Sequence, residues 1–460
     1  MKNVIIFPDN SQSKLSSQDK KVLQKLIEAA KIISFLYLAQ KNPRYPGANF
    51  YPADARKKEI EDAAKKNSQI LNPYTFIERN KQGELVAVPY SQKFKKELTQ
   101  VAQLLKEAAG LSDDKVFQRY LVARADDLLQ DNFDASNTLW LKTDHSKFGF
   151  VIGPFDRYLD QVFFQKRAYM CWVGILDEKA TRGMAQFKDL ILTSDRLYLP
   201  GARRAKIDQV KIRIEDTILF SGLVADFMFV GNNLPSSADL YLIKEHGTMF
   251  TLFKPTLKWR FENWLFPTFQ QVFDESTQRR FSKEELEKAF LQSSVLHEAC
   301  HSLMRYEDAS GRLQELFPYF DELFTDLLGV KGCGTLILKD SLTEKELEAI
   351  TLATVCHSLY FYASLSARPH LSPYAVGGAI ILEFLRKGKA LTKRSKGFYF
   401  DSYRALLAIN QLTSIIEYYI ALGNHKEAEE FLKRFTVLKS FSSFESYLKG
   451  IPKGNFTLDK

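Results

Sequence analysis

The stretch Ser294-Val295-Leu296-His297-Glu298-Ala299-Cys300-His301-Ser302-Leu303 carries the pattern H-E-x-x-H inside an apolar, helix-forming run. Two histidines four apart on a helix face the same way, because 3.6 residues make one turn. Both imidazoles can then reach one metal ion. The glutamate between them sits where a carboxylate can take a proton from water activated by that metal. The pattern is the core of a zinc hydrolase, usually a peptidase.

The neighbouring residues support a long helix. Ser282 and Glu285 are spaced as N-cap and N3 of a capping box, with Phe281 and Leu286 as the flanking hydrophobic staple. From there Phe290, Ser294, His297, His301 and Met304 recur every three or four residues. The chain has seven histidines, and two of them fall in this motif. A zinc site needs a third protein ligand and an open fourth position. Downstream, Pro318 reads as a helix start and Gly329 as its stop. Between them Glu322 and Asp326 lie four apart, hence on one face. That spacing suits Glu322 as ligand and Asp326 as the acceptor for the far N–H of a ligand histidine. Asp321 and Glu315 are the competing third ligands.

Other segments follow the same order as in a known family. They are Tyr319 to Gly329 with its E-x-x-x-D helix, Phe150-Val-Ile-Gly153-Pro154-Phe155-Asp156-Arg-Tyr158-Leu-Asp160, Gly231-Asn-Asn233-Leu-Pro235 and Gly397-Phe-Tyr-Phe-Asp401. With the H-E-x-x-H helix, the chain resembles the dipeptidyl-peptidase III family of zinc metallopeptidases in its short bacterial form, over roughly residues 45 to 435. The resemblance implies an α+β, mostly helical fold of two lobes with a wide cleft. A helical zinc lobe would face a lobe containing a small β-barrel. It also implies that Glu322 is the third ligand of one Zn2+ ion, and that Asp156 and Asn233 help hold the free amino end of a peptide. The family has Tyr-Glu where this chain has Phe155-Asp156, and Asn-Asp where it has Ser236-Ser237. Its A-H-G histidine has no counterpart before Gly377-Gly378.

On this reading the expected organisation is a loose arm over 1–20 and helical and β-rich parts of one lobe over 21–136 and 137–275. The helical zinc lobe follows over 276–436, with a tail packing back over 437–460. At 460 residues, with 45% hydrophobic and 26% charged residues, the composition is that of an ordinary globular protein. No apolar run reaches the 18 residues of a membrane span, and the N-terminal apolar stretch is short for a signal peptide. A cytoplasmic, monomeric protein is expected. Cysteines 171, 300, 333 and 356 form no C-x-x-C and read as free thiols. The net charge of +9 is spread over short clusters lying among acids, which disfavours a specific nucleic-acid partner.

The expected activity is hydrolysis of oligopeptides near the free N-terminus. Glu298 is the general base, and Tyr374 or His370 is the donor to the developing oxyanion. Tyr374 and His370 lead over His357 and Arg368 because they stand nearest the glycines that match the family's catalytic segment. The alternatives are a zinc endopeptidase and a catalytically weak peptide-binding protein that keeps the metallopeptidase fold.

Overall fold

The computed structural model describes residues 3–8, 15–42, 47–185, 188, 199, 207, 209–236, 239–303, 306–364 and 373–434. The expected C-terminal tail, and His370 and Arg368, lie outside them. The chain divides into two compact units. The first is Met1–Thr181, Lys211–Phe229 and Leu234–Lys254, and the second is Arg182–Val210, Val230–Asn233 and Pro255–Lys460. The expectation of a mostly helical α+β chain holds.

In the first unit, β1 (Val4–Ile6) and helix α1 (Ser17–Gln40) occupy the stretch expected as a loose arm and its continuation. Ser16 closes a capping box with Asp19, so α1 starts earlier than hydrophobic periodicity implied. Helices α2 (Lys95–Leu111) and α3 (Lys115–Asp127) follow, and α1 packs on α2. A hairpin of β2 (Thr75–Arg79) and β3 (Leu85–Pro89) lies between α1 and α2 in sequence.

The main sheet contains β4 (Phe148–Asp156), β5 (Ala168–Leu176), β6 (Val210–Gly222) and, after the short strand β7 (Gly231–Leu234), β8 (Thr248–Phe253). Its order runs β4-β5-β6-β8, with β1 antiparallel to the end of β6. Among the described residues this is an open path, a half-barrel in the place where a small β-barrel was expected. The buried pattern of β5, apolar on both faces from Ala168 to Val173, follows from helix α1 covering one of them.

The second unit is mostly helical, with one antiparallel hairpin of Leu391–Arg394 and Gly397–Phe400. Its main elements are α4 (Lys254–Arg260), α5 (Lys283–Leu303), α6 (Phe317–Leu338), α7 (Glu344–Ser364), α8 (Pro373–Lys387), α9 (Ser402–Ala421) and α10 (His425–Lys433). The capping box expected for α5 is present: Glu285 N–H donates to Ser282 Oγ (3.1 Å), and Ser282 N–H donates to a Glu285 carboxylate oxygen (2.8 Å). Helix α5 packs on α6 and α7, and α6 packs on α8 and α9.

Gly329 is not the stop expected of it, because α6 runs on to Leu338. A Cβ at Gly329 would stand 3.2 Å from Leu296 Cβ on α5. The glycine therefore serves close helix–helix approach, which lets the carboxylates of α6 reach the histidines of α5. Phe320, Leu323, Phe324, Leu327 and Leu328 of α6 are all essentially enclosed. At roughly 1.5–3 kcal/mol each, their burial offsets the cost of drawing Glu322 into the same interior.

Candidate metal centre

His297 and His301 occupy successive turns of α5, as their spacing requires. Glu322 comes from α6 and is 2% exposed. A charge buried to that degree is tolerated only with partners. Its Oε2 lies 3.3 Å from His297 Nε2 and 3.7 Å from His301 Nε2, and the two Nε2 atoms are 3.2 Å apart. Tetrahedral ligands with arms of ~2.0–2.1 Å stand about 3.3–3.4 Å from one another. Two edges of the triangle match that separation, and the third, from Glu322 to His301, is slightly longer at 3.7 Å. His297, His301 and Glu322 are also the group of potential ligands found among the described residues. The residues fit a zinc ion.

The outer contacts orient these ligands. His297 Nδ1 is 2.7 Å from Asp326 Oδ1, and Thr325 Oγ1, which donates to the Glu322 carbonyl, lies 3.2 Å from the same nitrogen. A proton on Nδ1 donated to Asp326 leaves the Nε2 lone pair facing Glu322 and His301. His301 Nδ1 stands 3.6 Å from Asp321 Oδ2. Two imidazole lone pairs turned on one carboxylate call for a cation between them. Burial lowers the His297 pKa, but Asp326 and then Glu322 outweigh it and leave the group well above its ordinary value. His301 is raised in the same way, against burial, chiefly by Asp321.

Of the acids left open by spacing, Glu322 thus stands inside the triangle and Asp321 behind His301. Glu315 lies elsewhere, 3.1 Å from His425 Nε2. Glu298, one residue beyond His297, is 6% exposed. Tyr374, the second residue of α8, donates its hydroxyl to Glu322. Burial, then the charges of Glu322 and Glu298, hold its pKa well above the usual phenol value.

His357 on α7 has an Nε2 atom that is enclosed and without a hydrogen-bond partner among the described residues. Burial, helped by Arg260 and His297 and opposed by Asp326, pushes its pKa down to about 4. Arg260 closes α4 with its guanidinium carbon 4.9 Å from the Trp264 ring centroid and 5.8 Å from that of Phe361, and Phe361 stacks on Tyr374 at 5.0 Å. Sequence reasoning missed Arg260, Thr325 and Ser302. An arginine 37 residues before the motif has no local signal linking it to the motif, and its place is set by helix packing alone.

Asp156 ends β4 in the first unit, just after an irregularity in the β4–β5 register. Asn233 belongs with the second unit. Its Nδ2 donates to the Glu298 carbonyl oxygen (2.7 Å) and lies 2.9 Å from Ser302 Oγ. Cys300 is enclosed with its pKa raised well above normal by burial, in keeping with a packing role.

A helical unit that gathers two histidines and a glutamate from two packed helices, joined to an α+β unit with a half-barrel sheet, defines the architecture. The fold is that of dipeptidyl-peptidase III. The structure of dipeptidyl-peptidase III from Corallococcus sp. strain EGB matches with a TM-score of 0.86 and 23% identity, covering 98% of this chain and 94% of that one. The structure of DPP III from Caldithrix abyssi matches with a TM-score of 0.81 and 19% identity, covering 97% and 95%. No protein-family model matches the chain. Among curated proteins, Nudix hydrolase 3 of Arabidopsis thaliana is 26% identical over 341 residues, 66% of this chain and 43% of that protein. The chain therefore spans less than half the length of that relative. No described helix is long and apolar enough to cross a membrane.

Proposed function

We propose that this chain is a zinc-dependent peptidase that cuts oligopeptides near their free amino end. One Zn2+ would be held by His297, His301 and Glu322. The observation that carries the reading is the triangle of 3.2, 3.3 and 3.7 Å between the three ligand atoms, made by an H-E-x-x-H helix in a dipeptidyl-peptidase III fold. A bound zinc ion would supply Lewis acidity and lower the pKa of water. Glu298 takes the proton from the attacking water and passes it to the leaving amine. Asp326 holds the His297 ring in one tautomer. Tyr374 stays protonated through the neutral range, and its one hydroxyl hydrogen, donated to Glu322 in this structure, would turn to a substrate oxygen once Glu322 holds the metal. Asp156 offers a carboxylate for an ammonium group, and the site works in a chain expected to act as a cytoplasmic monomer.

Metal analysis of the purified protein, joined to a peptide-library cleavage profile, tests the reading. About one zinc per chain and release of short N-terminal fragments are expected. Glu298→Gln should keep the metal and lose most turnover. Internal cleavage would favour the endopeptidase alternative, and zinc-dependent peptide binding without turnover the weak-catalyst alternative. Equal turnover by wild type and Glu298→Gln would remove the assigned base.

A further inference from the structure

The chain joins the second unit for only four residues, Val230–Asn233, between two stretches of the first. Asn233 fastens that segment to α5. Its Nδ2 lies 2.7 Å from the Glu298 carbonyl oxygen and 2.9 Å from Ser302 Oγ. A side-chain amide carries two N–H donors, and both are used here. The two acceptors are four residues apart, so the amide straddles the one helical turn that holds Glu298 and His301. Ser302 is 2% exposed, which keeps this contact out of water.

We propose that Asn233 is a positioning residue for Glu298: it pins the 298–302 turn of α5 so that the Glu298 carboxylate keeps one orientation beside the His297, His301 and Glu322 cluster. The kinetic consequence rests on the peptidase reading above. The pin itself does not. It also separates Asn233 from a residue that only touches substrate. A mere substrate ligand would hold an ammonium as well or better with aspartate in its place. A pin would fail with aspartate, because a carboxylate oxygen would then face the Glu298 carbonyl oxygen with no hydrogen between them.

The test uses the zinc-loaded full chain with Asn233→Ala, Asn233→Asp and Ser302→Ala. Each is read by kcat and KM on a free-amine peptide and by amide hydrogen exchange over residues 298–303. Asn233→Ala should lower kcat about tenfold to a hundredfold, as small misplacements of a reacting group do, with zinc still bound. Asn233→Asp should lose more than Asn233→Ala, and Ser302→Ala should show the same loss on a smaller scale. Exchange over 298–303 should quicken in all three. An Asn233→Asp protein with kcat at or above that of Asn233→Ala would overturn the proposal. So would unchanged exchange in both Asn233→Ala and Ser302→Ala. If the Asn233 variants fail to fold, Ser302→Ala decides alone, by faster or unchanged exchange. If wild type turns over no peptide, the peptidase reading falls and the exchange data still decide the pin.

Discussion

Replacing Asp326 isolates the carboxylate behind His297. Its Oδ1 lies 2.7 Å from Nδ1, a charge-assisted hydrogen bond of a kind worth roughly 1.5–3 kcal/mol. Asp326→Asn keeps an acceptor and drops the charge. Asp326→Ala removes both and leaves Thr325 Oγ1, at 3.2 Å, as the substitute. Each ~1.4 kcal/mol is tenfold in an equilibrium constant. The zinc Kd should therefore rise about tenfold for the asparagine and approach ~100-fold for the alanine, the range usual for such outer partners.

Competition against a chromophoric chelator measures the affinity, with melting of the metal-free protein as a check on folding. Protons supply a second readout. The His297 pKa is raised in the folded chain, against burial, by Asp326 first and Glu322 second. A raised folded value means that the proton stabilises the metal-free fold below the unfolded pKa. That stabilisation is lost as pH climbs through the folded value. Zinc must displace this proton, so wild-type affinity should grow with pH above the ordinary histidine range. In Asp326→Ala the same rise should come at lower pH. An alanine variant with wild-type affinity and an unshifted pH dependence would refute the orienting role.

Three further outcomes are expected. His357 has its folded pKa depressed to about 4, so the unfolded chain takes the proton first and stability falls as pH drops from about 6.5 to about 4. In the metal-free protein His357→Phe should lose up to about 3 kcal/mol less than wild type across that window, as read by urea titrations; parallel losses would contradict the assignment. Asp156→Asn should raise KM for free-amine peptides more than for N-acylated ones, and equal changes would take Asp156 out of amino-end recognition. A Cβ at Gly378 would meet the Ser358 carbonyl oxygen at 2.5 Å, so Gly378→Ala should force α7 and α8 apart at a cost of about 1–3 kcal/mol. Gly311→Ala, with nothing within 4 Å, is the control, and similar melting of the two would show that this contact does not limit the packing.

The legible parts of the site were those written in local periodicity. Residues four apart on a helix share a face whatever surrounds them, so His297 and His301 could be paired from the sequence, and so could Glu322 and Asp326. The Ser282–Glu285 capping box is likewise a matter of three residues. The same local logic misread Gly329. A glycine after an apolar run has the signature of a helix stop, and only the partner helix shows that the missing Cβ makes room for Leu296.

Residue order along the chain determined that an H-E-x-x-H helix exists, that an acidic helix follows it, and that the whole resembles a dipeptidyl-peptidase III. Tertiary packing alone decided that Glu322, and not Asp321 or Glu315, meets both Nε2 atoms, and that Arg260 and His357 both lie against the Phe361 ring. It also decided that the Asn233 amide is bonded to the turn carrying Glu298. Helical geometry is set by bonds between residues four apart, whereas the meeting of α5 with α6 depends on which apolar faces exclude water together. That is a property of the whole buried interior and of no short stretch of sequence.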